Sequence, residues 1–196
     1  MAFWLHAALV GAGLLFLLKA AYVLSTGVVL PATGGALFVS TSRTRVDAFL
    51  DAVPMGEDDL LVDLGCGDGR VLARANQRFG VAAVGFEVNP AAVLLAKARC
   101  LLLPGVRVRW KNFFSADLSQ ATVVFCYLFP DVAKRVAEKL AAECAPGTWV
   151  ASANFPLPGF LPERVLRPKG PRQGDPIYLY RMNPPGDDFP PEPPLL

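Results

Sequence analysis

The residues of this chain best placed to do chemistry lie close together: Asp63, Gly65, Cys66, Gly67, Asp68 and Gly69, inside the run LLVDLGCGDGR at positions 60–70. Three glycines at alternate positions let the backbone turn sharply, and without a Cβ they bring main chain close to a ligand. The spacing describes a cofactor cradle. Further on, Glu87 closes a second apolar run, VAAVGFE. In a doubly wound α/β domain the tip of the second strand lies beside the loop after the first, and a carboxylate there can accept both hydroxyls of a ribose. An adenosine-bearing ligand is expected. NAD is disfavoured, because the dinucleotide fingerprint needs a third glycine where this chain has Arg70.

The elements that must hold these residues follow from hydrophobic periodicity. Strands are expected at Leu60 to Leu64, Val81 to Glu87, Val106 to Trp110, Thr122 to Tyr127 and Thr148 to Ala153. The third alternates apolar and basic residues, as a half-exposed edge would. A helix from about Thr44 presents Val46, Phe49, Leu50 and Val53 as one stripe and ends at Pro54 and Gly56. Another begins near Arg70. A third starts at Asn89 and Pro90, an N-cap followed by proline in the first turn, with Leu94, Leu95, Ala98, Leu101 and Leu102 as its expected buried face. A fourth carries Val132, Val136 and Leu140. Short runs at Arg164 to Leu166 and Ile177 to Tyr180 read as a closing antiparallel hairpin. The expected fold is α/β: a Rossmann-like, seven-stranded, mostly parallel sheet with an antiparallel C-terminal hairpin.

Ahead of that domain, Ala2 to Leu18 contains no charged residue. A helix of about 23 residues from Phe3 would measure roughly 34 Å against a hydrocarbon core of about 30 Å. Lys19 can snorkel. No basic residue precedes it, so a cleavable signal peptide is disfavoured, and the positive charges at Lys19, Arg43 and Arg45 place the domain on the cytoplasmic side. The sequence thus divides into an N-terminal transmembrane anchor and connector (1–39), a catalytic domain (40–183) and a proline-rich, disordered tail (184–196). A net charge of +2 is too small to argue for nucleic acid. Cys66, Cys100, Cys126 and Cys144 show no metal spacing, so no metal is expected, and they read as reduced thiols.

With Asp63, the three glycines, Asp68 and Glu87 together, the chain resembles the class I, seven-strand S-adenosylmethionine-dependent methyltransferases, whose first motif is an acid followed by GxGxG. More narrowly, FVSTSRTRVDAFL, GCGDGR, FEVNP and FPLPGF resemble segments of the membrane-anchored protein lysine methyltransferases that modify the adenine nucleotide translocase and the ATP synthase c subunit. The likeness extends to about Phe160. It implies S-adenosylmethionine as cofactor, held by Asp63, Gly65, Cys66, Gly67, Asp68, Gly69 and Glu87. It also implies an adenine contact at Asn112 and Phe113, with Asp117 as the alternative to Asn112.

Chemistry is expected at the carboxyl ends of the strands. There the fourth strand runs into YLFP, with no acid or amide to receive a conjugated amine. Tyr127, Phe129 and Phe155 are left as an apolar, aromatic substrate slot. Such a slot suits a lysine, whose amine must lose its proton before it attacks the methyl group. The expected activity is protein lysine N-methylation of a membrane protein by a single-pass enzyme in contact with the bilayer. A methyltransferase of a lipid or lipophilic small molecule, or a non-catalytic cofactor-binding membrane module, remains the alternative.

Overall fold

Apolar residues at both parities of the strand period give a sheet buried on both faces, as parallel sheets require. The computed structural model of the chain describes residues 41–168 and 175–182, with positions 6, 10–13, 16, 17 and 20 near the N-terminus. Strands β1 (Leu60–Leu64), β2 (Ala82–Glu87), β3 (Val106–Trp110), β4 (Val123–Cys126), β5 (Trp149–Ala153), β6 (Arg164–Leu166) and β7 (Ile177–Arg181) form one sheet in the order β3-β2-β1-β4-β5-β7-β6. The first five pair in parallel, while β7 runs antiparallel to both β5 and β6. The expected architecture and hairpin are present.

Leu61, Ala83, Val123, Phe125, Ala151 and Leu179 point to one face of the sheet. Helices α1 (Arg43–Ala52), α2 (Arg70–Phe79) and α3 (Pro90–Cys100) cover it. The alternate residues Val62, Leu64, Val124, Cys126, Val150 and Tyr180 face α4 (Pro130–Glu143). Asn89 caps α3 as expected, its side chain accepting from the amides of Ala91 and Ala92. On α4 the buried face is Ala133, Val136, Ala137 and Leu140, with Val132 only half-buried.

One expectation fails. The buried face of α3 is Ala92, Val93, Ala96 and Cys100, and the leucines assigned to it face outward. The cause is a close crossing: a Cβ on Gly69 would lie 3.0 Å from the Ala96 Cβ and 3.3 Å from the Cys100 Sγ. Only small residues fit there, so the leucines are turned away from the sheet.

The transmembrane span expected from Phe3 falls largely on residues outside those described, as do most of the connector and the tail. Among the described residues no helix is long and apolar enough to cross a membrane.

Gly85, in the middle of β2, sets a second close approach. A Cβ there would meet Leu72 Cδ1 at 2.5 Å and Cys66 Sγ at 2.6 Å. Gly85→Ala should therefore destabilise the fold by about 1–3 kcal/mol, the usual cost of overpacking a tight core. Urea unfolding of the variant measures it, and an unchanged midpoint would refute the packing argument.

Candidate cofactor and substrate site

The loop from Gly65 to Gly69 is tied down mainly by strand β2. The amides of Gly65 and Cys66 both donate to the Phe86 carbonyl at 2.9 Å, and the Gly67 amide donates to Glu87 Oε2 at 2.9 Å. Glu87 Oε1 accepts from the amides of Val88 and Asn89 at 2.7 and 2.8 Å. One carboxylate thus joins the loop after β1 to the loop after β2. A carboxylate offers about four acceptor positions, so one remains on Oε2 for a ligand hydroxyl. Glu87 is both a brace for the loops and a candidate ribose contact, and the sequence disclosed only the second role.

These bonds also separate the possible cofactors. A dinucleotide needs free amides and an open helix N-terminus for its pyrophosphate. Here three amides are engaged within the protein, and the Asp68 carboxylate lies at the start of α2. It accepts from Arg70 Nε at 3.0 Å and Arg70 Nη2 at 2.7 Å and pairs with Arg99 at 2.9 Å. Burial alone would raise the Asp68 pKa, but the hydrogen bonds and charge of Arg70, with the charge of Arg99, hold it below the usual carboxylate range. The amide of Arg70, the first residue of α2, also donates to this carboxylate, so the protein's own acid already occupies the helix start.

Asp63 differs. It is buried at the carboxyl end of β1, no donor among the described residues reaches its carboxylate, and burial pushes its pKa well up, helped by the charges of Glu87 and Asp68. An unpaired buried carboxylate beside glycines fits a cationic ligand group, such as the ammonium of a methionyl moiety. The site therefore fits S-adenosylmethionine: Asp63 toward its amino-acid end, Glu87 toward its ribose, and the Cβ-free surface of Gly65 and Gly67 between them.

The remaining sequence candidates divide. Cys66 is in the loop, but its thiol is turned into the core against Gly85, and burial raises its pKa well above the ordinary value. Burial likewise pushes Cys126 and Cys144 up to about 12. Asn112 follows β3, and its side chain accepts from the Phe114 amide at 2.9 Å, fixing a 3-10 turn over Phe113–Ser115. The Lys111 amide donates to the Glu87 carbonyl, which places Asn112 and Phe113 beside the tip of β2. Asp117 is exposed and accepts from the Ser119 amide instead. Among the described residues no group of three His, Cys, Asp or Glu side chains is arranged to hold a metal ion.

At the ends of β4 and β5, Phe129 and Phe155 lie with ring centroids 6.4 Å apart. The loop carrying Phe155 is held firmly. Asn154 has a left-handed φ of 75° and donates from its amide to the Pro176 carbonyl at 2.8 Å. Ser152 Oγ donates to the Phe155 carbonyl at 2.7 Å, and Tyr180 Oη accepts from the Leu157 amide at 2.8 Å.

Tyr127 is separate from that pair and is covered by Arg45, whose guanidinium carbon sits 4.9 Å from its ring centroid. Arg45 is the residue that sequence reasoning missed. It is buried, reaches Asp175 at 3.3 Å and the Pro176 carbonyl at 3.4 Å, and its Nε has no partner. Its spacing was a usable signal: four residues before Phe49 and eight before Val53, Arg45 falls on the apolar stripe of α1.

A family model described as the ANTKMT methyltransferase domain matches residues 63–164. The chain belongs to that family. It is an S-adenosylmethionine-dependent methyltransferase. A protein-lysine N-methyltransferase of Saccharolobus islandicus (strain REY15A) is 36% identical over 73% of this chain and 91% of its own length. The adenine nucleotide translocase lysine N-methyltransferase of Mus musculus is 33% identical over 66% of this chain and 57% of its own. A solved structure described as an RNA methyltransferase from Salinibacter ruber, in complex with S-adenosylhomocysteine, superposes with a TM-score of 0.70 at 32% identity. That match covers 79% of this chain and 98% of the other.

Two tests follow from the carboxylates. Because the folded pKa of Asp63 is raised, its contribution is favourable below its unfolded pKa and is lost as pH rises through the folded value. Asp63→Asn should therefore raise the melting temperature of the cofactor-free protein at neutral pH while weakening cofactor binding. Below the raised pKa of Asp63, cofactor binding to the native chain should release protons, visible as a buffer-dependent calorimetric enthalpy that the variant lacks. A lower melting temperature in the variant would contradict the assignment. Glu87→Ala should weaken cofactor binding by about 1.5–3 kcal/mol and also destabilise the empty fold, since three amides lose their acceptor. Unchanged calorimetric affinity would remove Glu87 from the site.

Proposed function

We propose that the enzyme methylates the side-chain amine of lysine in a membrane-embedded protein, with an N-terminal segment anchoring it to the same bilayer and the domain on the cytoplasmic side. The observation that carries this reading is the composition of the slot at the carboxyl ends of β4 and β5. The rings of Phe129 and Phe155 lie 6.4 Å apart there, and the segments that carry them, YLFP and NFPLP, contain no carboxylate; Asp131, two residues on, is exposed in the first turn of α4. An acid would stabilise the ammonium form of lysine. Aromatic walls disfavour it by desolvation.

The bound cofactor supplies an already activated methyl group, so no covalent intermediate on the protein is required. The chain's own residues orient and dehydrate the amine, which Phe129 and Phe155 wall. The proton leaves before attack, to solvent.

A membrane substrate is supported by two independent facts. Relatives are named as lysine N-methyltransferases of the adenine nucleotide translocase and of the ATP synthase c subunit. The present chain has an uncharged run from Ala2 to Leu18, and a common bilayer raises the effective concentration of a target within it.

The buried residues of the described core all lie between Thr41 and Met182. A chain that begins at Ser40 keeps the Thr41 carbonyl, to which Arg70 donates at 2.7 Å. It should fold, bind S-adenosylmethionine as the full chain does, and no longer methylate membrane proteins. Mass spectrometry of lysines in membrane and soluble fractions from cells expressing each form decides it. Methyl-lysine confined to soluble proteins with the full chain would count against the proposal.

A further inference from the structure

The strongest feature outside the site is the outward face of α3 and the sheet edge beside it. At 100° per residue, Leu94, Leu95 and Ala98 lie opposite the buried Ala92, Val93, Ala96 and Cys100, and the exposed Leu101 and Leu102 extend that stripe into the turn that ends the helix. The leucines are 71, 52, 78 and 89% exposed in that order, and Trp110, at the end of the edge strand β3, is 68% exposed. Val106 and Val108 pack against the α3 side of the core, so the strand alternation puts Trp110 on that side too. Its indole Nε1 donates to the Val88 carbonyl at 3.0 Å, which fixes it at the rim.

Charge singles out the same region. Residues 88–116 hold Lys97, Arg99, Arg107, Arg109 and Lys111 and no acid, a local charge of +5 in a chain of net +2, so the remainder carries −3. On the helix, Lys97 and Arg99 border the leucine stripe on its two sides. Arg99 is paired with Asp68, but no ion pair among the described residues engages Lys97, Arg107, Arg109 or Lys111.

From these observations we infer that α3 and the β3 edge form a docking surface for an anionic lipid bilayer, separate from any N-terminal anchor. The leucine stripe enters the headgroup region, Trp110 lies at its border, and Lys97 beside the stripe and Lys111 just past Trp110 meet lipid phosphates and carboxylates, while Arg107 and Arg109 alternate to the other face of the edge strand. Aliphatic side chains give a nucleic-acid base nothing to stack on, so the stripe does not suit RNA. The path of the chain into the domain agrees. Arg70 Nη1 donates to the Thr41 carbonyl, Arg70 pairs with Asp68, and Asp68 pairs with Arg99 of α3. The N-terminal segment therefore joins the domain on the α3 side of the sheet. The surface does not depend on lysine being the methyl acceptor.

The test uses the full chain in nanodiscs, with an environment-sensitive NBD fluorophore on Leu102→Cys in a Cys144→Ser background and a control label on Glu138→Cys of α4. In discs of phosphatidylcholine and phosphatidylserine, the label at 102 should shift to the blue and be quenched by brominated lipid. In phosphatidylcholine alone, and at 138 in either lipid, it should not. Lys97→Glu combined with Lys111→Glu should remove the shift without altering S-adenosylmethionine affinity, which also reports that the variant is folded. A label at 102 that stays in water in both lipids, or is buried equally in both, overturns the inference. So does a shift produced by single-stranded RNA and not by phosphatidylserine.

Discussion

The Glu87 carboxylate is the constraint on which the cofactor end of the molecule depends. Three amides, those of Gly67 and Asn89 buried and that of Val88 half-buried, converge on it. Each would be costly to leave unpaired in the interior. Because Glu87 is the last residue of β2, the same bonds that satisfy these amides fix the glycine loop against the start of α3, where Asn89 then caps the helix. The arrangement concentrates negative charge: Asp63 lies close enough to feel both Glu87 and Asp68. Asp68 is neutralised by two arginines, whereas Asp63 has no partner among the described residues. That unpaired carboxyl is costly to ionise in the empty fold and is an attraction for a cationic ligand.

Helix α1 closes the other side. Arg45 reaches across to Asp175 and Pro176 and lies over Tyr127. The Pro176 carbonyl also accepts from the amide of Asn154, just before Phe155. Ahead of the helix, the Thr41 carbonyl accepts from Arg70, at the end of the glycine loop. One short helix thus touches both the cofactor loop and the support of the aromatic pair. The buried Nε of Arg45 without a partner is the local penalty for keeping a guanidinium there.

The sheet was legible from sequence because its strands are short apolar runs bounded by glycine, proline and acids. Most observed boundaries fall within a residue of those expected. The cofactor loop was legible for a similar reason: glycine spacing is a backbone requirement that the sequence states directly. What was not legible depends on contacts between distant segments. The leucines of α3 looked like a core face because they are the largest apolar residues of that helix. The crossing at Gly69 admits only alanine and cysteine, and no local pattern reveals that crossing. The second role of Glu87 likewise depends on where the Gly67 amide points. The burial of Arg45 is not legible because its partners, Asp175, Pro176 and Tyr127, lie far along the chain, so in sequence it counts only as a positive charge. The N-terminal span, the connector and the tail lie largely outside the described residues, and their expected character rests on sequence alone.

The composition of the slot is best understood from the protonation of the acceptor. A lysine amine with a reference pKa of about 10.4 is neutral in only about one molecule in 2,500 at pH 7. A carboxylate next to it would lower that fraction, since an opposite charge favours the ammonium form. Full burial can depress a lysine pKa by up to about 3–5 units, and each unit gives a tenfold gain in the nucleophilic form. Desolvation alone can therefore recover about three orders of magnitude without a general base. Phe129 and Phe155 supply apolar walls. Under the lysine reading, the lack of an acid at the end of β4 is what lets an aromatic slot deliver a neutral amine.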